Sequence, residues 1–136
     1  MKVVIDTNIL LVSIPSKSKY RPIFEAWLFD KITLVVTSAI FFEYIEISGQ
    51  QSKQGIAKYI EDALIAAKNV VTPSVYYRWQ LISGDPDDNK FTDAYLAESA
   101  DYLVTNDNHF NEAARIEFPK INVVSADKFL EILKDL

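Results

Sequence analysis

Cysteine is absent from the 136-residue sequence, and histidine occurs once, as His109. Without cysteine the chain has no disulfide, no thiolate zinc site, no iron–sulfur cluster and no cysteine nucleophile. A single histidine excludes a site built from several imidazoles, and the sequence assigns His109 no role in catalysis. Any metal ion must therefore be held mainly by carboxylates, which favours Mg²⁺, Mn²⁺ or Ca²⁺ over zinc or copper.

Long apolar runs are also missing. The first run covers residues 3–5 and is followed at once by Asp6. No other run approaches the roughly 18 residues that a membrane-spanning helix needs. The pattern predicts neither a signal peptide nor a membrane partner, and we expect a cytoplasmic protein.

Basic side chains are outnumbered by acidic ones, 14 against 19, which gives a formal charge of -5. Such a balance argues against binding nucleic acid through bulk positive charge, because that mode relies on clustered Lys and Arg displacing counterions. It does not argue against an enzyme that meets phosphate groups through metal ions.

Short apolar strands alternate with amphipathic helices along the chain. This alternation predicts a three-layer α/β/α fold with a mostly parallel sheet, and the length fits one domain over residues 1–136. Ser38 is expected to cap a helix that Gly49 ends, whereas the pattern at residues 74–83 predicts no element. Strands are predicted at 3–5, 33–37, 70–71, 102–105 and 121–124, and helices at 22–30, 38–48, 51–68, 85–100, 109–114 and 125–136.

Two carboxylates follow predicted strands directly. Asp6 comes after residues 3–5, and Asp107 comes after residues 102–105. Because the carboxyl ends of parallel strands meet at one edge of a sheet, both side chains are expected at the place where α/β proteins form their sites. The alternative is that each acid only caps the helix after it.

A third acid lies in the run Asp85-Pro86-Asp87-Asp88. Asp85 suits a helix N-cap, and Asp87 fits either a solvated position or the third acid of a site. Asp88 shares a helical face with apolar residues such as Phe91, which favours it as the acid that points inward. Seven of the 19 acids fall between positions 85 and 107, with Lys90 the only base among them.

Glu43 is the fourth candidate. On a helical wheel it borders an inward stripe formed by Ile40, Tyr44 and Ile47, and no Lys or Arg lies three or four residues away. A carboxylate at the edge of a buried face needs a partner, and a divalent cation would supply one.

Four gathered carboxylates repel one another and raise one another's pKa, and bound Mg²⁺ or Mn²⁺ reverses that balance. The site would favour metal-assisted hydrolysis of a phosphodiester or another phosphoryl group.

The motifs in chain order resemble the PIN-domain family. They are VVIDTN at 3–8, the helix start at 38–43, DPDDNK at 85–90 and ADYLVTND at 100–107. Within that family, KYRPIF at 19–24 and the DPDDNK run are similar to the toxins of toxin–antitoxin pairs (VapC-like). The resemblance covers essentially the whole chain.

This resemblance implies a Mg²⁺- or Mn²⁺-dependent endoribonuclease that cleaves single-stranded RNA, with one or two metal ions. Its catalytic and metal-binding residues would be Asp6, Glu43, Asp88 and Asp107, and Asn8 and Thr105 match polar positions that line the family's site. It also implies an antitoxin partner and a homodimer.

A small basic cluster, Lys17, Lys19 and Arg21 around Tyr20, has two interpretations. It is either a solvated loop or a lip that steers phosphates, with Lys19 and Arg21 contacting substrate and Tyr20 stacking on a base.

Two other functions fit the same residues. One is a non-catalytic binding module, which an exposed aromatic surface away from the acids would favour. The other is a metal-dependent phosphatase for small molecules, which a narrow closed pocket would favour.

Overall fold

The computed structural model describes residues 1–51 and 55–136. A five-stranded sheet runs through it in the order β3-β2-β1-β4-β5, and every neighbouring pair is parallel. The strands are β1 (Lys2–Ile5), β2 (Thr33–Val35), β3 (Val70–Val71), β4 (Tyr102–Val104) and β5 (Val123–Val124).

Helices cover both faces of this sheet and make the three-layer α/β/α arrangement that the alternation of strands and helices predicts. Two short 3₁₀ turns, Pro86–Asp88 and Asn108–Phe110, precede α5 and α6. The α-helices are α1 (Thr7–Ser13), α2 (Arg21–Leu28), α3 (Ser38–Gln51), α4 (Ile56–Ala66), α5 (Asn89–Glu98), α6 (Asn111–Ala114) and α7 (Ala126–Lys134). In the described ranges, no helix combines the length and hydrophobicity needed to cross a membrane.

The central strand β1 is buried because its neighbours and the helices enclose it. Val3, Val4 and Ile5 are all inaccessible or nearly so, as a strand covered on both faces should be. In the register, Val3 pairs with Leu34 on one side and with Tyr102 on the other.

The strand order reverses beside β1. The chain builds β2 and β3 on one side of β1 and then places β4 and β5 on the other side. In open α/β sheets, ligands bind at the carboxyl ends of the strands where this reversal occurs. The ends of β1 and β4 therefore mark the place to look for a site.

The helix boundaries correct several expectations. Thr37, rather than Ser38, caps α3, because its hydroxyl accepts a hydrogen bond from the backbone N–H of Ile40 at 3.3 Å. Gly49 does not end that helix, which continues to Gln51. The predicted helix at 51–68 is observed as α4, and residues 52–54 of that prediction lie outside the described residues.

The segment 72–83 has no helix or strand, yet side chains of α5 hold it in place. The carboxylate of Asp93 accepts from Trp79 N at 3.0 Å. The amide of Asn89 accepts from Ile82 N at 2.9 Å and donates to Ile82 O at 3.0 Å. These bonds satisfy backbone groups that a sheet or helix would otherwise satisfy.

Candidate active site

Asp6 lies at the carboxyl end of β1, at the N-cap position of α1. Its carboxylate makes no cap hydrogen bond and instead accepts from the hydroxyl of Thr105, with 2.7 Å between Oδ2 and Oγ1. Burial raises the pKa of Asp6 above its ordinary value, the Thr105 hydrogen bond opposes that rise, and the charge of Glu43 adds to it. Helix capping therefore does not explain why an acid stands here.

Thr105 joins the ends of β1 and β4. Its hydroxyl donates to Asp6 and also accepts from the backbone N–H of Asp107 at 3.0 Å. The carboxylate of Asp107 in turn accepts from the backbone N–H of His109 at 2.9 Å, so Asp107 does cap the 3₁₀ turn that follows it. Its side chain remains 38% exposed and is open to other partners.

Glu43 is the acid that α3 contributes, and both of its oxygens have partners. The hydroxyl of Thr7 donates to Oε2, and the ammonium of Lys90 lies 2.6 Å from Oε1. No basic residue lies three or four positions from Glu43 on α3, but α5 brings Lys90 to it from 47 positions along the chain. Lys90 also pairs with Asp87 at 3.0 Å.

Asp88 is the most perturbed of the acids. Its Oδ2 is buried and has no hydrogen-bond partner among the described residues. Burial, followed by the charges of Asp85, Asp6 and Asp107, raises the pKa of Asp88 to about 7. An orphaned carboxylate oxygen of this kind is costly in a folded protein unless a ligand takes it.

Asp87 differs from Asp88 in its surroundings. It is 73% exposed and paired with Lys90, and the lysine lowers its pKa. The two candidates for the third acid therefore have different environments. Of the two, only Asp88 has a buried oxygen without a partner among the described residues.

His109 joins this cluster, although the sequence assigns it no role. Its Nδ1 lies 3.3 Å from Asp107 Oδ1 and 3.8 Å from Asp88 Oδ2. Gly84 makes room for the ring, since a Cβ there would lie 3.3 Å from His109 Cδ2. The signal that could have found this histidine is its position two residues after Asp107.

Ligand atoms of Asp85, Asp88 and His109 all lie within 4.8 Å of one another. Within the described ranges, the four predicted acids do not form such a set. Glu43 is held by Lys90 and Asp6 by Thr105, although the charges of Glu43, Asp6 and Asp107 all act on Asp88. The donor set, oxygens with at most one imidazole, suits a hard divalent cation, and the orphaned oxygen of Asp88 offers it a free ligand.

The remaining predicted contacts lie elsewhere. Asn8 is exposed on α1. The ammonium of Lys19 pairs with Asp127 at 2.9 Å. Arg21 pairs with Glu25 at 3.3 Å and donates to the carbonyl of Ile14. The role of Lys19 and Arg21 in steering phosphates stays a prediction, and in this structure both are engaged with protein groups.

Comparison with known proteins identifies the family. The model of the PIN domain matches residues 2–109, a range that contains Asp6, Glu43, Asp85, Asp88 and Asp107. The chain belongs to the PIN-domain family. No curated protein sequence matches it.

Among solved structures, the PIN domain described here is similar to a chain of VapBC2 from Rickettsia felis, whose crystal structure was solved bound to a DNA fragment from its promoter. The TM-score is 0.63 at 20% identity, and the match covers 92% of this chain and 98% of that one. At this identity the likeness supports the shared fold.

Proposed function

We propose that this PIN-domain protein is a metal-dependent endoribonuclease that cleaves single-stranded RNA, and that it is the toxin of a VapC-like toxin–antitoxin pair. One observation carries the nuclease proposal. Close to the strand ends where the strand order reverses, Asp88 has a buried oxygen with no hydrogen-bond partner in residues 1–51 and 55–136. Burial and the charges of Asp85, Asp6 and Asp107 raise its pKa to about 7. A divalent cation would give this oxygen of Asp88 a partner.

Asp6, Glu43, Asp88 and Asp107 would hold Mg²⁺ or Mn²⁺, with Asp85 and His109 close to Asp88. Such an ion supplies Lewis-acid activation of water and neutralises charge that develops at the phosphate. Thr105 orients Asp6, and Thr7 orients Glu43, so that both carboxylates face a ligand in fixed positions.

In the proposed reaction His109 holds a proton and Lys90 supplies a positive charge. The Nδ1 atom of His109, near both Asp107 and Asp88, is placed to hold a proton that moves to or from a reacting oxygen. The ammonium of Lys90, 2.6 Å from Glu43 Oε1, adds a positive charge beside the acids.

The toxin role rests on the VapC-like motifs of the sequence and on the structural likeness to VapBC2. It implies an antitoxin protein that binds this chain, a homodimer, and action in the cytoplasm. Co-expression with the product of a small neighbouring gene, followed by co-purification, tests the antitoxin.

The reaction is tested with a mixed pool of single-stranded RNA and a titration of Mn²⁺. Asp6→Asn is expected to lower the cleavage rate more than about 100-fold, because loss of a residue that only supports a metal ligand already costs about 10–100-fold. Asp62→Asn, an exposed acid on α4, is the matched control and should keep full activity. Cleavage by Asp6→Asn at the wild-type rate would reject the proposed catalytic site.

A non-catalytic binding module is the second candidate, and one surface favours it. Trp27 is buried, but Tyr76 is 95% exposed, and exposed Tyr77 and Phe118 pack around Trp79. If the wild-type chain fails to cleave RNA or a small phosphodiester at any Mn²⁺ concentration, this candidate replaces the enzyme.

A further inference from the structure

A groove of about 790 Å³ lies beside the acid cluster. The N-terminus of α3 forms one wall, and the segment 72–80 forms the other. Hydroxyl groups and two basic side chains line much of it, namely Thr37, Ser38, Thr72, Ser74, Arg78 and Lys90. Two carboxylates, Asp87 and Asp93, line it as well, and Asp87 is paired with Lys90. Lys90 belongs to both the groove and the acid cluster, since its ammonium also contacts Glu43. The groove is therefore continuous with the candidate active site.

The wall formed by segment 72–80 is fixed. Asp93 holds the backbone of Trp79, and the same tryptophan packs against Tyr77 at 4.7 Å and Phe118 at 6.4 Å between ring centroids. Neither Tyr77 nor Trp79 lines the groove, whereas Arg78 between them does. This packing presents the arginine to the groove while its two neighbours anchor the segment.

Arg78 differs from the basic residues of the loop 17–21. Its side chain is exposed, and within residues 1–51 and 55–136 no carboxylate lies within ion-pair distance of it. Lys19 and Arg21, in contrast, are both paired. The charge of Arg78 acts on the nearby Asp93 and opposes the rise of that acid's pKa, but without an ion pair the guanidinium is available to an anionic ligand close to the acids.

We propose that this groove binds the sugar-phosphate backbone of single-stranded RNA next to the phosphate that is cleaved, with Arg78 contacting a phosphate of the strand. This inference rests on the proposed function. An arginine forms charge-assisted hydrogen bonds to phosphate, and the threonine and serine hydroxyls match the ribose hydroxyls of RNA. The continuity of the groove with the acids favours RNA over an acidic peptide, because a strand cut at the acids has to leave the site along a neighbouring surface.

The test uses a fluorescent, mixed-sequence single-stranded RNA and the Asp6→Asn chain, which is expected to leave the strand intact. Binding is followed by anisotropy between about 50 and 200 mM KCl. Adding Arg78→Gln is expected to weaken binding several-fold and to make the slope of log K against log salt shallower by about 0.7, the value for one lost contact with a single strand. Arg115→Gln, at an exposed arginine outside the groove, is the matched control and should leave the slope unchanged.

Cleavage kinetics in the otherwise wild-type chain provide the second readout. Arg78→Gln is expected to raise KM for RNA and to leave kcat nearly unchanged, since the residue binds the strand away from the reacting phosphate. If Arg78→Gln has the slope and KM of the control while the wild type cleaves RNA, the groove inference is wrong and the proposed function stands.

The opposite failure is distinguishable. If the wild-type chain does not cleave RNA but its binding keeps a salt slope that depends on Arg78, the groove binds RNA and the proposed nuclease is wrong. If an acidic peptide binds in a manner that depends on Arg78 and RNA does not, the occupant is a protein and the inference fails.

Discussion

Acids lie at both ends of the strands, which are called here the amino edge and the carboxyl edge of the sheet. The two edges differ in how those acids are paired. At the amino edge, the ammonium of Lys2 lies 2.7 Å from Glu98, and the backbone N–H of Lys2 donates to Asp101 at 2.8 Å. At the carboxyl edge, burial and then the charges of Asp85, Asp6 and Asp107 raise the pKa of Asp88. The nearby Lys90 pairs with Glu43 and Asp87 instead.

This difference separates carboxylates that are paired within the fold from those that we propose hold a metal ion. Both edges use ordinary acids next to strand ends, so residue type and spacing do not distinguish them. The partners do, because a satisfied carboxylate adds to stability and a crowded one subtracts from it. The following experiments test whether the two edges really differ in this way.

The largest effect on stability is expected from removing the positive charge of Lys90 at the carboxyl edge. Lys90→Met leaves Glu43 without its basic partner, and both side chains are only 17% exposed. We expect the free energy of unfolding to fall by about 2 kcal/mol, somewhat less than the cost of breaking a fully buried pair. Urea denaturation in the presence of a chelator measures the change.

The double variant Glu43→Gln, Lys90→Met is the control for this prediction. It removes both charges and should recover most of the lost stability. Equal stability of Lys90→Met and the wild type would mean that Lys90 does not neutralise Glu43.

A second effect is expected in the dependence of stability on pH. The folded pKa of Asp88, about 7, is raised above its ordinary value of 3.8, so the folded chain holds this proton more tightly than the unfolded chain does. The contribution of Asp88 is therefore fully present below pH 3.8 and is lost as the pH rises through about 7. Thermal unfolding with a chelator should show stability falling across this window.

Asp88→Asn should flatten that decline, because the amide has no proton to lose. Asp62→Asn on the exposed face of α4 should leave the profile as it is in the wild type. An unchanged decline in Asp88→Asn would show that other groups cause it.

The smallest effect is expected at the amino edge. Lys2→Met removes an ion pair whose lysine is 45% exposed, and such pairs contribute at most about 1 kcal/mol. Cleavage of RNA in Mn²⁺ should be unaltered, since this pair lies at the far end of the strands. A large loss of activity in Lys2→Met would mean that the two edges are not independent.

The sequence could predict the fold and the residues at strand ends, because both follow from local patterns. Asp6 directly follows β1 and Asp107 lies three residues after β4, and parallel topology brings such positions to one edge. The predicted inward stripe of α3 is confirmed at Ile40 and Tyr44, which are buried. It is wrong at Ile47, because Ser48 is the buried residue there. Ser48 tolerates burial because its hydroxyl donates to Tyr44 O at 2.6 Å.

The sequence could not predict contacts made between distant elements. Lys90 reaches Glu43, and His109 reaches Asp88, only after α3, α5 and the loop after β4 have packed on the sheet. The pattern at residues 74–83 predicts no element for a related reason. The backbone bonds of this segment go to side chains of Asn89 and Asp93, and periodicity in the segment itself carries no trace of them.

Helix α5 contacts both the acid cluster and the wall of the groove. The same ten-residue helix carries Lys90, which pairs with Glu43, and Asp93, which holds Trp79 in the wall of the groove, while its Asn89 holds Ile82 just after that wall. These side chains are fixed to one rigid body, so a shift of α5 that frees Glu43 from Lys90 also moves the wall. We therefore expect the width of the groove and the pairing of Glu43 with Lys90 to change together.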